Sequence, residues 1–117
     1  MKVSVIIPVY NEEKAIGECL KSLAQQTYQD MEVIVVDDGS TDNTARVVGN
    51  FQFPISNFQL IRQEHKGPGS ARNWGVQHAT GDILVFVDAD MTFEPDFIAR
   101  LVEPIVQRGT IGTFSRE

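Results

Sequence analysis

The chain has 117 residues, of which 42% are hydrophobic and 22% charged, and a formal net charge of −6. Length and composition fit one soluble globular domain. The acidic balance argues against a nucleic-acid partner, because duplex binders present a basic face.

In chain order, Val3 to Pro8 is short, apolar and β-branched, as expected of a buried parallel strand. Asn11 is placed to cap a helix running to about Gln26, with an apolar stripe of Ala15, Ile16, Cys19, Leu20 and Leu23. Cys19 is the single cysteine, so no intrachain disulfide can form; its place in the stripe predicts a buried, inert thiol. Met31 to Val36 is a second strand, ending at Asp37-Asp38-Gly39. Ser40, Thr41 and Asp42 offer caps for a helix through Val48. Asn50 to Asn57 reads as a loop in which Phe51 and Phe53 pack on the sheet edge.

Phe58 to Arg62 is a third, weaker strand. Gly67-Pro68-Gly69-Ser70 reads as a turn before a helix from about Ala71 to Ala79, with Gly81 as its C-cap. Trp74 is expected in the core, His78 as a structural residue, and His65 as a loop residue, with contact to the ligand as its alternative. Ile83 to Val87 is the fourth strand. Pro95 suits the first turn of a last helix with the stripe Phe97, Ile98, Leu101, Val102 and Ile105, which Pro104 should kink or shorten. Thr110 to Phe114 reads as the start of another strand.

Strand-helix alternation of this kind predicts βαβ units and a parallel sheet covered on both faces. Such sheets bind ligands beyond the carboxyl ends of their strands. At those ends stand Pro8, Tyr10, Asn11 and Glu12, then Asp37 and Asp38, then His65, Lys66 and Arg72, then Asp88 and Asp90. Four separate loops thus bring polar and ionisable groups to one crevice.

Asp88 and Asp90 are two residues apart after an apolar strand, and alternate side chains of an extended segment face one way. Two carboxylates so placed suit a hard divalent cation that also takes substrate phosphates; a solvated turn is the plain alternative. Asp38 could accept a ring N–H of a base, Tyr10 could stack on that base, and Arg72 could serve a phosphate or a base edge. The plain alternatives are a turn for Tyr10, helix capping for Asp37 and Asp38, and a surface ion pair for Arg72. Gly67-Pro68-Gly69 lacks the spacing of a phosphate-binding loop or a dinucleotide fingerprint, which speaks against a dehydrogenase. A phosphoacceptor receiver domain would need its acid pair after the first strand.

Four segments, in this order and spacing, resemble the family 2 glycosyltransferases of the GT-A nucleotide-diphospho-sugar transferase fold. They are Val5-Ile6-Ile7-Pro8-Val9-Tyr10-Asn11-Glu12; Val35-Val36-Asp37-Asp38-Gly39-Ser40-Thr41-Asp42; Gly69-Ser70-Ala71-Arg72-Asn73 with Gly75; and Gly81-Asp82 running on to Asp88-Ala89-Asp90. The resemblance implies an α/β, Rossmann-like GT-A three-layer sandwich with a mostly parallel sheet, truncated after the DxD motif, over residues 1–117. It implies that Pro8, Tyr10 and Glu12 line the nucleotide pocket, that Val36 and Asp38 hold the base, and that Arg72 lies near base or phosphates. Asp88, Ala89 and Asp90 match the DxD motif, which binds the donor's ribose and diphosphate, with Asp88 and Asp90 on Mg2+ or Mn2+.

The expected function is donor binding, of a UDP- or GDP-sugar, for inverting transfer to a glycan, lipid or protein acceptor. The alternative is a non-catalytic nucleotide-binding module of the same half-fold. Inversion needs a general base, which the family places after the DxD motif; Glu94 and Glu103 lie there but in no matching motif. The general base is therefore expected beyond Glu117, and this chain alone is expected to be inactive. Met1-Lys2 leads straight into the first strand without a signal-peptide pattern, and no apolar run approaches the roughly 18 residues of a membrane span. A cytoplasmic location follows as an expectation, at a membrane face if other parts anchor it. An exposed sheet edge or apolar face makes a homodimer a further expectation.

Overall fold

The computed structural model describes residues 1–54 and 57–108. The elements run β1 Val3–Val9, α1 Ile16–Ala24, β2 Met31–Asp37, α2 Thr44–Asn50, β3 Phe58–Arg62, α3 Pro68–His78, β4 Ile83–Phe86 and α4 Phe97–Arg108. The four strands form one parallel sheet in the order β3-β2-β1-β4. The expected strand at Thr110 to Phe114 lies outside the described residues.

The sheet divides the molecule into three layers. Val3, Val5, Ile7 and Val9 of β1 share the larger core with Ile16, Cys19, Leu20 and Leu23 of α1, Val48 of α2 and Ile98, Val102 and Ile105 of α4. Each such buried aliphatic side chain contributes roughly 1.5–3 kcal/mol. Among the described residues the opposite face carries α3, over Ile34 and Val36. Close approach there depends on Gly75: a Cβ at that position would stand 2.6 Å from Ile6 Cγ2 and 3.2 Å from Val36 Cγ2. Phe51, Phe53 and Phe58 pack on one another against the larger core, as the sequence suggests.

Several local expectations change. Asn11 does not cap α1, which starts at Ile16 behind a turn. Asp42 serves α2, accepting the Thr44 N–H at 2.9 Å. α3 starts three residues early, because Pro68 fills a first-turn position that needs no N–H donor. Gly81 is no C-cap: α3 stops at His78, and the Gly81 N–H donates to Ser4 Oγ at 2.8 Å. α4 continues past Pro104 to Arg108. Its first turn is anchored by buried Gln26, whose Oε1 accepts the Ile98 N–H at 2.9 Å while Nε2 donates to the Glu94 carbonyl at 2.7 Å. No helix among the described residues is long and apolar enough to cross a membrane.

Candidate nucleotide site

The loops after β1 and β2 are tied together first. Asn11 adopts the left-handed region at φ 52°. From there its Oδ1 accepts the N–H groups of Thr41 at 2.8 Å and Asp42 at 3.3 Å, and its own N–H donates to Ser40 Oγ at 2.9 Å. The Glu12 N–H donates to Thr44 Oγ1 at 2.8 Å. These bonds aim Tyr10 and Glu12 at the end of β2.

Asp37 and Asp38 have different tasks. Asp37 is fully buried; its Oδ1 accepts the Ser40 N–H at 3.0 Å, and Oδ2 pairs with Arg62 Nε at 3.0 Å, an ionic contact without hydrogen-bond alignment. Asp38 gathers the β3–α3 loop. Gln63 Nε2 and the Lys66 N–H donate to Oδ1 at 2.7 and 2.8 Å, and the Gly67 N–H donates to Oδ2 at 2.9 Å. Burial alone would raise the Asp38 pKa, but these hydrogen bonds, from Gln63 first, and the nearby His65 hold it below the usual carboxylate range. Gly39, at φ 74°, lets the chain pass: a Cβ there would meet His65 N at 2.8 Å.

His65 stands over this carboxylate. Its Nδ1 is 2.9 Å from Asp38 Oδ2 and 3.2 Å from the Asp38 carbonyl oxygen. Both neighbours only accept, so Nδ1 carries the hydrogen. The imidazole stacks on Tyr10 with centroids 4.1 Å apart. Pro8, Tyr10, Glu12, Asp38, His65 and Pro68 line a cavity of about 220 Å3 at the strand ends.

Beyond β4 the burial alternates. Val87, Ala89 and Met91 point into the core, and Asp88 and Asp90 are exposed. The strand pairing ends at Phe86, and the Met91 N–H donates to the Asp88 carbonyl at 3.2 Å, so the acid pair sits on a turn rather than on extended chain. The pKa of Glu12 is raised by burial first, then by the charges of Asp90, Asp42 and Asp88. The Cys19 thiol, whose Sγ lies 3.8 Å from the Asp88 carbonyl, is pushed up to about 12 by burial and then by Asp90 and Asp88. It is the inert buried thiol that its stripe predicts.

Pro8, Tyr10, Glu12 and Asp38 thus meet in one cavity, with Asp88 and Asp90 beside Glu12. Three expected residues are placed otherwise. The Val36 side chain is fully buried beneath α3, because its register on β2 turns it to that face. The Ala89 side chain is buried in the larger core, so only its backbone remains for a ligand. Arg72, on α3, is not among the cavity's lining residues; among the described residues it also forms no ion pair with a surface acid. Trp74 is not core: it is 38% exposed, in a groove with Arg62, Lys66, Asn73 and Gln77 that draws on one strand end only. Pro68 is the lining residue that sequence reasoning missed, and His65, placed by the sequence at a strand end but given no role, is the other addition.

Among the described residues no group of three His, Cys, Asp or Glu side chains is placed to hold a metal ion by itself. Two exposed carboxylates are the donor set that Mg2+ or Mn2+ uses when phosphate oxygens complete the shell, so Asp88 and Asp90 fit a cation that arrives with a diphosphate.

The chain is similar to known proteins in sequence and in fold. The chain is 39% identical over 106 residues to glycosyltransferase GlyA of Streptococcus pneumoniae, covering 91% of this chain and 15% of GlyA. The crystal structure of S. aureus TarS 1–349 in complex with UDP-GlcNAc matches with a TM-score of 0.85 at 37% identity, covering 93% of this chain and 32% of that one. The mannosyltransferase PcManGT of Pyrobaculum calidifontis, solved with GDP-Man and Mn2+, matches with a TM-score of 0.75 at 38% identity, over 78% of this chain and 28% of that one. The chain therefore spans a third or less of the length of these proteins. The α/β fold is that of GT-A glycosyltransferases, and the family model for glycosyl transferase family 2 matches residues 4–116: the chain belongs to that family.

Proposed function

We propose that this chain is the donor-binding part of an inverting glycosyltransferase that takes a UDP- or GDP-sugar through Mg2+ or Mn2+. The observation that carries this reading is the meeting of three strand ends: the Tyr10–Asp38 cavity after β1 and β2, and the Asp88/Asp90 turn after β4, with Glu12 between them. Tyr10 supplies a ring face and Asp38 a carboxylate for a base N–H. Asp88 and Asp90 would hold the cation, which when bound screens the diphosphate and stabilises it as a leaving group. That TarS and PcManGT were solved with a UDP-sugar and a GDP-sugar supports both bases as candidates.

Calorimetric titration of UDP and GDP with Mn2+, with Mg2+ and with chelator tests the reading. Binding of one diphosphate that needs metal and is lost in Asp90→Ala is expected. Binding unchanged by chelator and by Asp90→Ala would remove the metal from the site. Transfer to an acceptor requires a base that the family places after the DxD motif, so no turnover by residues 1–117 alone is expected; robust sugar transfer by them would overturn that part.

A further inference from the structure

The two features that suit the cavity to a base are already engaged by one side chain. His65 lays its ring on Tyr10 at 4.1 Å, and its Nδ1, hydrogen-bonded to the Asp38 carbonyl oxygen at 3.2 Å, also stands 2.9 Å from the Asp38 carboxylate, a close contact without hydrogen-bond alignment. A planar ring stacked on an aromatic, with an N–H edge beside a carboxylate, is also the description of uracil or guanine in that seat. We infer that His65 is a built-in stand-in for the nucleobase, and that the base enters by displacing this imidazole from Tyr10 and Asp38.

Three observations support exchange over addition. Gln63, Lys66 and Gly67 donate to the Asp38 carboxylate and His65 Nδ1 stands 2.9 Å from Oδ2, so a base N–H reaching this carboxylate has to take the place of one of these four neighbours. Two of those neighbours are main-chain N–H groups fixed by the loop and a third is the amide of half-buried Gln63, whereas the His65 side chain is 57% exposed and is the one that can swing into water. The cavity, at about 220 Å3, is also smaller than the roughly 300–1,000 Å3 of ordinary ligand pockets, and moving the imidazole out enlarges it. The stand-in keeps Asp38 and Tyr10 oriented. It also selects for a replacement that donates from its ring edge, as uracil and guanine do and cytosine and adenine do not.

This inference rests on the nucleotide reading above and sharpens it. A seat that is free in about one molecule in ten weakens the apparent affinity about tenfold. Titration of UDP with Mn2+ into the full chain and into His65→Ala should therefore show about tenfold tighter binding by the variant. The loop should persist in the variant, since Gln63, Lys66 and Gly67 still hold it to Asp38. As a second measurement, the His65 ring-proton resonances of the unaltered chain should leave their stacked, upfield position as UDP saturates. Equal or weaker UDP binding by His65→Ala, or ring protons that stay put, overturns the inference while leaving the nucleotide reading in place. Failure of both proteins to bind UDP, GDP or any other nucleoside diphosphate overturns both.

Discussion

Asn11 Oδ1 accepts the Thr41 N–H at 2.8 Å, and this bond joins the loop after β1 to the loop after β2. It exists because Asn11 sits at φ 52°, a conformation that Asn tolerates better than most residues. Tyr10 and Glu12 flank Asn11, so this linkage helps to set the cavity wall, together with the bonds from Asn11 N–H to Ser40 and from Glu12 N–H to Thr44.

Asn11→Ala should lose both the backbone compatibility and the two acceptor bonds, at a cost of about 2–3 kcal/mol. Asn11→Gly keeps the backbone and loses only the bonds, so about 1–2 kcal/mol is expected. Urea unfolding of the two variants checks this. Equal midpoints would mean that the φ angle contributes nothing.

Gly75→Ala drives a methyl into Ile6 and Val36, which are held by the sheet. Overpacking of this kind costs about 1–3 kcal/mol. The denaturation midpoint should fall while its slope is unchanged, and Gly69→Ala, with open space around it, should leave the midpoint nearly where it was.

Glu12 carries a raised pKa, from burial and from Asp90, Asp42 and Asp88. Its ionisation therefore opposes folding as the pH rises through its folded value, and protonation relieves this at low pH. Glu12→Gln should stabilise the chain at pH 7 by up to about 1 kcal/mol, reduced by solvent screening. The gain should vanish below about pH 4, where the carboxylate is protonated in any case. Thermal unfolding across pH checks both the sign and the window; a gain that persists in acid would assign it to something other than charge.

Asp38 has the opposite linkage. Its lowered pKa means that its stabilisation is fully present above about pH 3.9, the ordinary Asp value, and is lost as the pH falls through the lower folded value. Asp38→Asn would set an amide against the Gln63, Lys66 and Gly67 donors and should cost about 1–3 kcal/mol at neutral pH. It should also abolish UDP binding. A variant that keeps full stability but loses binding would show that the loop does not need this carboxylate.

Most of the scaffold was legible along the chain. Apolar runs marked β1, β2 and β4, because both faces of this sheet are covered, whereas the edge strand β3, Phe58–Arg62, carries Gln59 and Arg62 and gave the weaker signal that its partial burial explains. The α1 stripe predicted its buried face and the inert Cys19. Segment ends were less legible: Asn11 and Gly81 have the right identities for caps, yet Asn11 is committed to Thr41 in the loop after β2 and Gly81 to Ser4 on β1.

The sequence by itself determined which chemistry-bearing groups stand at the carboxyl ends of β1, β2 and β4, since strand endings and residue types are both local. The alternation around Asp88 and Asp90 also survived, although the strand stops at Phe86, because Val87, Ala89 and Met91 still seek the core. Only the tertiary structure decided which side chains reach the cavity. Register on β2 sends Val36 under α3, the same alternation buries Ala89, and closure of the β3–α3 loop on Asp38 brings His65 onto Tyr10 across more than fifty residues of chain. Those outcomes depend on sheet register and on hydrogen bonds between distant loops, and neither leaves a periodic signal in sequence.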